Sequence, residues 1–358
     1  GGERWFRGAQ QYDLNEKEKK VLYGLTRYPE LKESELSSLI NVRLSTLTSI
    51  KRRLQQQNLF CNAIVPMVNR LGCELMVATH TNFNPVIPLV ERVKTTKKTI
   101  EIFDEVFFSV GEQEKGFSLS IAKRYTDIGK IDEIRTETFG GVGLLEKEYP
   151  QEAIFPFEIS RIQRFFDFSR LLKHIFSLDD IEEDNGGERW FRGAQQYDLN
   201  EKEKKVLIAL VENPDATTQT IGDLVGFSRH TVARIKNHLF EEKLFRRIVI
   251  PNIEKLGFEI LAFHHLNFNP HRCPNDIEKN RLDTPSTIFF AYRKFEAVLI
   301  SAYKTYQEYK EDKTQKMSYL KENNFITYTP VIRKYVFGRM VIIKDFDFTP
   351  IIKKILYI

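Results

Sequence analysis

The sequence predicts an α+β protein in which two winged helix-turn-helix domains alternate with two ferredoxin-like (βαββαβ) domains. Three observations lead to this fold class. The chain repeats itself once along its length. Each repeat begins with a helix-turn-helix pattern. Each then continues with strands and helices in the order β-α-β-β-α-β, which describes a ferredoxin-like sandwich.

The repeat begins with an identical segment. Residues 1–22 and 186–207 are the same, and beyond them the two halves diverge but stay in register at an offset of 185 residues. A module of about 175 residues is therefore duplicated, which predicts two modules and four domains. We expect winged helix-turn-helix domains at residues 1–66 (with an N-terminal arm) and 186–251, ferredoxin-like domains at 67–178 and 252–358, and an acidic linker at 179–185.

The clearest helix-turn-helix pattern lies in the second module, between residues 221 and 247. Apolar residues recur there at helical spacing, Gly226 stands where a tight turn is needed, and Ser228 can cap the helix that follows. That helix is polar and basic outside its apolar stripe, and a helix of this width fits the DNA major groove. An ordinary solvated surface helix is the alternative interpretation. The residues that we expect to contact DNA are Ser228, Arg229, His230, Thr231, Arg234, Lys236 and Asn237.

The first module repeats the motif with a different exposed surface. Asn15 and Glu18 form a capping-box pair, and Asn41 replaces the turn glycine because asparagine also adopts left-handed backbone angles. The third helix is predicted from about Leu44 to Asn58. Its residues that we expect to contact DNA are Arg43, Ser45, Thr46, Ser49, Lys51, Arg52 and Arg53. The two recognition helices therefore share apolar positions and differ on the surface that would meet DNA.

A short strand follows each recognition helix and is predicted to form the wing of a winged helix. The two strands span residues 59–65 and 244–250, and a proline follows each of them. Arg246 and Arg247 lie on the second strand, where we expect them to contact DNA phosphates.

The remainder of each module supplies the sandwich. Segments rich in apolar and β-branched residues, 73–83 and 258–268, predict the first strand of each domain. Each module ends with an amphipathic helix, at 169–176 and 350–357. The other predicted elements are strands near 105–110, 117–123, 287–292 and 297–303, a helix at 307–322, and a segment at 325–343 with a break near Pro330.

Histidines recur at equivalent strand positions, His80 and His265, with His264 beside the latter. A ligand pair or a pH sensor would be the functional interpretation. No carboxylate or cysteine recurs at fixed spacing near them, so histidines satisfied at the edge of a sheet are the preferred interpretation. The segment from Gly111 to Gly116 has the outline of a phosphate loop, but Phe117 replaces the required lysine, which favours a hairpin turn.

The composition indicates a soluble, cytoplasmic protein. Three cysteines show no paired or metal-type spacing, and no apolar run is long enough to span a bilayer. The net charge of +5 is modest, so a surface that binds nucleic acid must be local rather than global. No catalytic arrangement recurs in both modules, so we predict that the chain is not an enzyme and uses no cofactor or metal.

The order of these parts resembles that of the Lrp/AsnC (feast/famine) family of transcriptional regulators. The family's recognition helix looks like the stretch from Gly226 to Ile235, and its Pro-x-x-x-x-Leu-Gly segment is similar to Pro251 to Gly257. The first module keeps Pro66, Leu71 and Gly72. The resemblance implies winged helices that bind DNA and ferredoxin-like domains that pair and sense an amino acid or another small effector. Members of the family usually carry one module per chain, whereas this chain carries two.

We therefore predict a sequence-specific, DNA-binding transcriptional regulator. Its expected partners are double-stranded DNA, a small-molecule effector and further copies of the chain bound through the ferredoxin-like domains, with no membrane partner. Joined in one chain, the two sandwiches can also pair with each other. Two alternatives remain open at this stage: a replication initiator or DNA-architecture protein, and a scaffold whose helix-turn-helix mediates protein contacts.

Overall fold

The computed structural model describes residues 11–145, 148–178, 190–192 and 195–357. The predicted acidic linker, Asp179 to Asn185, and the first ten residues of the N-terminal arm lie outside these ranges. None of the helices within them is long and apolar enough to cross a membrane. The described residues form helix-turn-helix units and antiparallel sheets covered by helices, which confirms the predicted fold class.

The first module begins with a three-helix unit and continues as a ferredoxin-like sandwich. Strands β2 to β5 and helices α4 and α5 follow the predicted β-α-β-β-α-β order. The elements of this module are α1 (Glu16–Arg27), α2 (Glu33–Leu39), α3 (Leu44–Gln56), β1 (Phe60–Pro66), β2 (Leu75–Asn82), α4 (Leu89–Glu101), β3 (Val106–Glu112), β4 (Lys115–Ala122), α5 (Tyr125–Gly141), β5 (Gln151–Pro156), β6 (Arg161–Arg164) and α6 (Ser169–Phe176).

The second module repeats this order with one main difference, a first sandwich helix of 5 residues where the first module has 13. The segment predicted as a strand from 325 to 343 with a break near Pro330 differs from that prediction: strand structure begins only after Pro330, and the interruption lies at 337–340. The elements are α7 (Glu201–Glu212), α8 (Thr218–Val225), α9 (Arg229–Glu241), β7 (Phe245–Pro251), β8 (Ile260–Asn267), α10 (Asp276–Asn280), β9 (Thr287–Tyr292), β10 (Glu296–Tyr303), α11 (Tyr306–Glu322), β11 (Val331–Val336), β12 (Val341–Lys344) and α12 (Thr349–Tyr357).

The turn before each recognition helix has the backbone that the sequence predicts. Gly226 has a φ of 75° and Asn41 has a φ of 52°, so both occupy the left-handed region that the chain reversal requires. The capping box at the start of α1 is also present, since the Asn15 side chain accepts from the Glu18 amide and the Glu18 carboxylate accepts from the Asn15 amide.

The strands that follow the recognition helices pair with each other, which differs from the separate wings expected from the sequence. Strand β1 of the first module lies antiparallel to β7 of the second, with Phe60 opposite Pro251 and Pro66 opposite Phe245. Seven residues on each strand are paired, so the backbone N–H and C=O groups of β1 bond to β7. In a separate wing they would bond to a second strand of the same module. The ribbon therefore joins the two helix-turn-helix units into one body.

The modules also exchange strands between their sheets. In the first sheet the order is β12-β3-β4-β2-β5, so a strand of the second module pairs with β3. In the second sheet the order is β11-β8-β10-β9-β6, so a strand of the first module pairs with β9. Each sheet thus contains four strands of its own module and one of the other. The predicted pairing of the two sandwiches within one chain is present.

The two sheets pack against each other through aromatic and aliphatic side chains. Phe117 of β4 stacks on Phe263 of β8 with ring centroids 4.9 Å apart, and Phe107 stacks on Phe348 at 4.7 Å. These rings belong to one continuous buried cluster that also contains the cores of both helix-turn-helix units. Because the cluster runs through both modules, hydrophobic burial stabilises the chain as a single unit.

Candidate functional site

Helix α9 and its cap carry the predicted DNA-contacting side chains of the second module, and most of them are exposed. Ser228 caps the helix, because its hydroxyl accepts from the Thr231 amide at 3.2 Å. Val232, Ile235 and Leu239 are buried and fix the rotation of the helix against the unit below. This rotation leaves Ser228, Arg229, His230, Arg234 and Asn237 exposed and Thr231 and Lys236 half-buried.

Helix α3 presents the corresponding face of the first module. Arg43, Ser45, Ser49, Arg52 and Arg53 are exposed, and Thr46 and Lys51 are half-buried. Two of the basic residues bind carboxylates of their own unit: Lys51 contacts Glu33 at 2.8 Å and Arg53 contacts Glu18 at 2.5 Å. The hydrogen bonds from Lys51 and Thr48 lower the pKa of Glu33, so this carboxylate stays ionised beside the helix.

The two helices themselves contribute basic side chains and almost no acidic ones, although Glu33 and Glu18 of neighbouring helices compensate Lys51 and Arg53 of α3. Helix α3 contains no aspartate or glutamate, and the single acidic residue of α9, Glu241, lies at its C-terminal end. The first turns of α9, which approach base edges in this motif, therefore present only neutral and basic side chains.

Arg246 and Arg247 do not extend from a wing. They lie on β7 within the inter-module ribbon, and both are half-buried. The Arg246 guanidinium stacks over the Trp190 ring at 4.9 Å, and Arg247 donates to the Pro214 carbonyl at 3.3 Å. Their contacts are with the protein, so the structure separates them from the residues exposed on α3 and α9.

The histidines noted in the sequence meet in the buried space between the two sheets. His80 of β2 and His265 of β8 come from different modules, and their rings approach to 3.0 Å between His80 Nε2 and His265 Nδ1. His265 Nε2 lies 2.9 Å from a carboxylate oxygen of Glu296, and Arg333 Nη2 lies 3.0 Å from His80 Nδ1. Sequence reasoning missed Glu296 and Arg333, because neither stands near a histidine along the chain.

The donor and the acceptor of each hydrogen bond in this network can be assigned in one consistent way. An arginine can only donate, so His80 Nδ1 accepts from Arg333 and the ring proton of a neutral His80 lies on Nε2. That proton points at His265 Nδ1, so His265 carries its own proton on Nε2 and donates it to Glu296. Burial, and then the charge of Arg333, lower the pKa of His80 to about 3, so the ring stays neutral. The network connects the two modules by directed hydrogen bonds.

His264, adjacent to this network on the other face of β8, should make the chain acid-sensitive. Burial, and then the charge of Lys316, lower the pKa of His264 to about 3. An unfolded chain protonates this ring below pH 6.5 or so, and the folded chain resists until about pH 3, so acidification favours unfolding within that window. Relative to His264→Leu, the wild type should lose about 1.4 kcal/mol more unfolding free energy for each pH unit between 5.5 and 4.5.

Urea unfolding at several pH values measures this difference. Replacing His271, which is exposed, with Leu provides the matched control, and its pH dependence should follow that of the wild type. A His264→Leu variant whose unfolding free energy falls in parallel with the wild type on acidification would show that this ring titrates normally in the folded protein.

The Gly111 to Gly116 segment noted in the sequence and the equivalent segments that contain Asn84 and Asn269 are turns. Gly111 and Gly116 face each other at the end of the β3–β4 hairpin, which confirms the predicted hairpin. The Asn84 side chain accepts from the Val86 amide at 3.1 Å, and the Asn269 side chain accepts from the His271 amide at 3.0 Å. These are the side-chain-to-backbone bonds typical of asparagine in turns.

Comparison with known proteins finds full-length similarity among solved structures. The siroheme decarboxylase NirDL is similar over 96% of this chain and 98% of its own, with 11% identity and a TM-score of 0.53. The same enzyme in complex with an iron-uroporphyrin III analogue is similar with a TM-score of 0.51, 11% identity and coverage of 96% and 99%. An AsnC-family regulator from Pyrococcus furiosus matches 40% of this chain and 89% of its own, with 19% identity and a TM-score of 0.31. No family model and no curated protein matches the sequence.

At these identities the full-length similarity shows the fold. It corrects one prediction made from the sequence, namely that the chain is not an enzyme. Nearly the whole chain, including both helix-turn-helix units, has the fold of a decarboxylase. The absence of a recurring catalytic motif misled the sequence argument, because an active site in such a fold does not have to occur in both modules.

Proposed function

We propose that this chain binds double-stranded DNA through α3 and α9 and acts as a sequence-specific transcriptional regulator. One observation carries the proposal. Helices α3 and α9 each pack one row of apolar residues against their own unit, and their exposed residues are basic or neutral with almost no acidic ones. Such a helix enters the major groove with its first turns near base edges. The β1–β7 ribbon supports simultaneous binding, because it holds the two units together.

The two recognition helices would read different sequences. Arg43, Ser45 and Ser49 occupy the face of α3 that Ser228, His230 and Arg234 occupy on α9. Two different recognition helices in one chain predict a DNA site with two different half-sites. A homodimer of a single-module protein would instead read a palindrome.

The salt dependence of DNA binding tests this proposal at a phosphate contact. Arg52 is exposed near the end of α3, so Arg52→Ala should weaken binding to all duplex sequences alike. The slope of log K against log salt concentration should become shallower by about 0.9 for one lost phosphate contact. Fluorescence anisotropy with a labelled duplex at several salt concentrations measures both quantities.

Arg281→Ala is the matched control, since it removes one exposed positive charge from the helix-covered side of the second sandwich. It should leave both the affinity and the slope unchanged. If Arg52→Ala and Arg281→Ala have equal effects, binding depends on general charge and not on α3. If the wild type binds no duplex at low salt, the scaffold alternative becomes the better account.

A second candidate function is decarboxylation, favoured by the full-length similarity to the siroheme decarboxylase. The reaction would release CO2 from a carboxylate side chain of the substrate and place a proton on the carbon left behind. Incubation of the full chain with siroheme, followed by mass spectrometry of the tetrapyrrole, tests it directly. Loss of the mass of CO2 supports this function, and an unchanged mass excludes siroheme as the substrate under those conditions.

A further inference from the structure

The helix-facing sides of the two sheets differ in a systematic way. The pairing of the strands defines equivalent positions in the two sheets, because the residues opposite each other in the β3–β4 hairpin match those in the β9–β10 hairpin. The first module has small or polar residues where the second has mostly large apolar ones. The pairs are Thr81 and Leu266, Ser109 and Phe290, Gly111 and Tyr292, Gly116 and Ala297, and Ser118 and Leu299.

The second module fills this space with its own side chains. Leu266, Phe290, Tyr292 and Leu299 belong to one buried apolar cluster beneath α11. In the first module the corresponding space between the sheet and helices α4 and α5 is a small cavity with a free volume of about 20 Å3, enough for one water-sized group. Its polar lining consists of Thr79, Thr81, Thr96, Ser109, Ser118 and Arg135.

Arg135 is the charged group of this cavity. Its side chain is 3% exposed, and its Nη1 atom makes no hydrogen bond. The carboxylate of Glu152 lies 3.8 Å away, which is an ion pair but too long for a hydrogen bond. Asp132, on the same helix, also attracts the guanidinium, yet Nη1 remains without an acceptor. Donors of a buried arginine are normally all satisfied, so the orphaned atom indicates an unfilled acceptor position.

Glu152 is a weaker counter-charge for Arg135 than an ordinary glutamate would be. Burial raises the pKa of Glu152 to about 7, against the opposing attraction of Arg135. A second buried guanidinium, that of Arg92, is 2% exposed, and its Nη1 makes no hydrogen bond to the residues that the structure describes. It stacks at 4.5 Å over the ring of Phe83, and Phe83 lines the cavity. Of the two arginines, Arg135 is the one that lines the cavity itself.

We propose that the sandwich of the first module binds the carboxylate group of a small organic acid, with Arg135 as its principal ligand. A carboxylate oxygen is the kind of acceptor that the orphaned Nη1 atom of Arg135 lacks, and the surrounding hydroxyl groups can donate to the same oxygen. The enclosed volume of about 20 Å3 accommodates one such oxygen. The site goes beyond DNA binding, and the second module cannot form it because Leu266 and Leu299 occupy the space.

Isothermal titration of the full chain with sodium acetate, against sodium chloride of equal ionic strength, tests the proposal. Saturable binding of one acetate per chain is expected. Arg135→Met should weaken that binding at least tenfold. Ser118→Leu introduces the side chain of the equivalent Leu299 and should abolish acetate binding while the fold is kept. It therefore tests the proposed site even if Arg135→Met fails to fold.

Ser34→Leu, on an exposed helix position, is the matched control and should bind acetate like the wild type. The proposal is overturned if the wild type shows no saturable acetate binding, or if Ser118→Leu binds as well as the wild type. It is also overturned if inorganic phosphate saturates the site and acetate does not. None of these measurements uses DNA, so their outcome is independent of the proposed function.

Discussion

Replacing Glu296 with Ala is expected to lower the free energy of unfolding by about 3 kcal/mol. Glu296 is 6% exposed and accepts from two cationic or polar neighbours, His265 Nε2 at 2.9 Å and Arg293 Nε at 2.7 Å. Its removal leaves the buried Nε2 proton of His265 without its carboxylate acceptor. The loss therefore contains both a charge-assisted hydrogen bond and the cost of an unsatisfied buried donor.

Equilibrium urea unfolding measures this loss. Glu311→Ala is the matched control, because Glu311 is exposed on α11 and bonds only its neighbour Gln307 on the surface, so its loss should stay within about 0.5 kcal/mol. Equal and small losses in both variants would mean that the directed network contributes no more to stability than a surface contact. A large loss for Glu296→Ala alone would establish that the buried hydrogen bonds of Glu296, within the second sandwich, contribute substantially to stability.

Arg229→Ala is expected to cost about 1–3 kcal/mol of DNA-binding free energy and to relax the preference at one base position. Arg229 begins α9, is exposed and directly follows the capping Ser228, so its guanidinium can reach a guanine edge with two parallel hydrogen bonds. Arg234→Ala, later on the same helix, should relax a different position. Competition with duplexes that differ at single bases measures the change in selectivity.

The contrast with Arg52 makes this prediction specific. Loss of Arg52 should weaken all sequences alike and flatten the salt dependence, whereas loss of Arg229 should change the ranking of sequences. If both Arg229→Ala and Arg234→Ala keep the selectivity of the parent chain, α9 does not read bases in the proposed orientation.

Local chemistry made much of the fold predictable. The serine cap of α9, the capping box before α1 and the left-handed turn residues Gly226 and Asn41 depend on neighbours in sequence, so the pattern predicts them directly. The strands of each sandwich follow from alternating apolar positions. Each of these features is determined by residues that lie close together in the sequence.

Strand partners could not be predicted in the same way. The apolar pattern of β1 and β7 shows which side of each strand is buried, but not that the two strands pair with each other. The exchange of β6 and β12 between the sheets has the same origin. A strand at the end of a module satisfies its backbone equally well on its own sheet or on the other one, and only the packed whole decides between them.

The candidate carboxylate site escaped the sequence argument for a different reason. Arg92 and Arg135 lie on the helices that cover the first sheet, where an isolated arginine is normally exposed to solvent. The signal that would have found them was present in the repeat itself. Thr81, Ser109 and Ser118 interrupt strand faces that are apolar at the equivalent positions of the second module, and a comparison of the two modules position by position reveals it.

Selection of binding sites from random double-stranded DNA with the full chain tests the central claim most directly. The account predicts one enriched motif made of two different half-sites, separated by about one helical turn or a multiple of it, because α3 and α9 differ on their exposed faces. Inverting one half-site should then abolish tight binding. Recovery of a perfect palindrome, or of no enriched sequence at all, would contradict the claim that the two helices read DNA together.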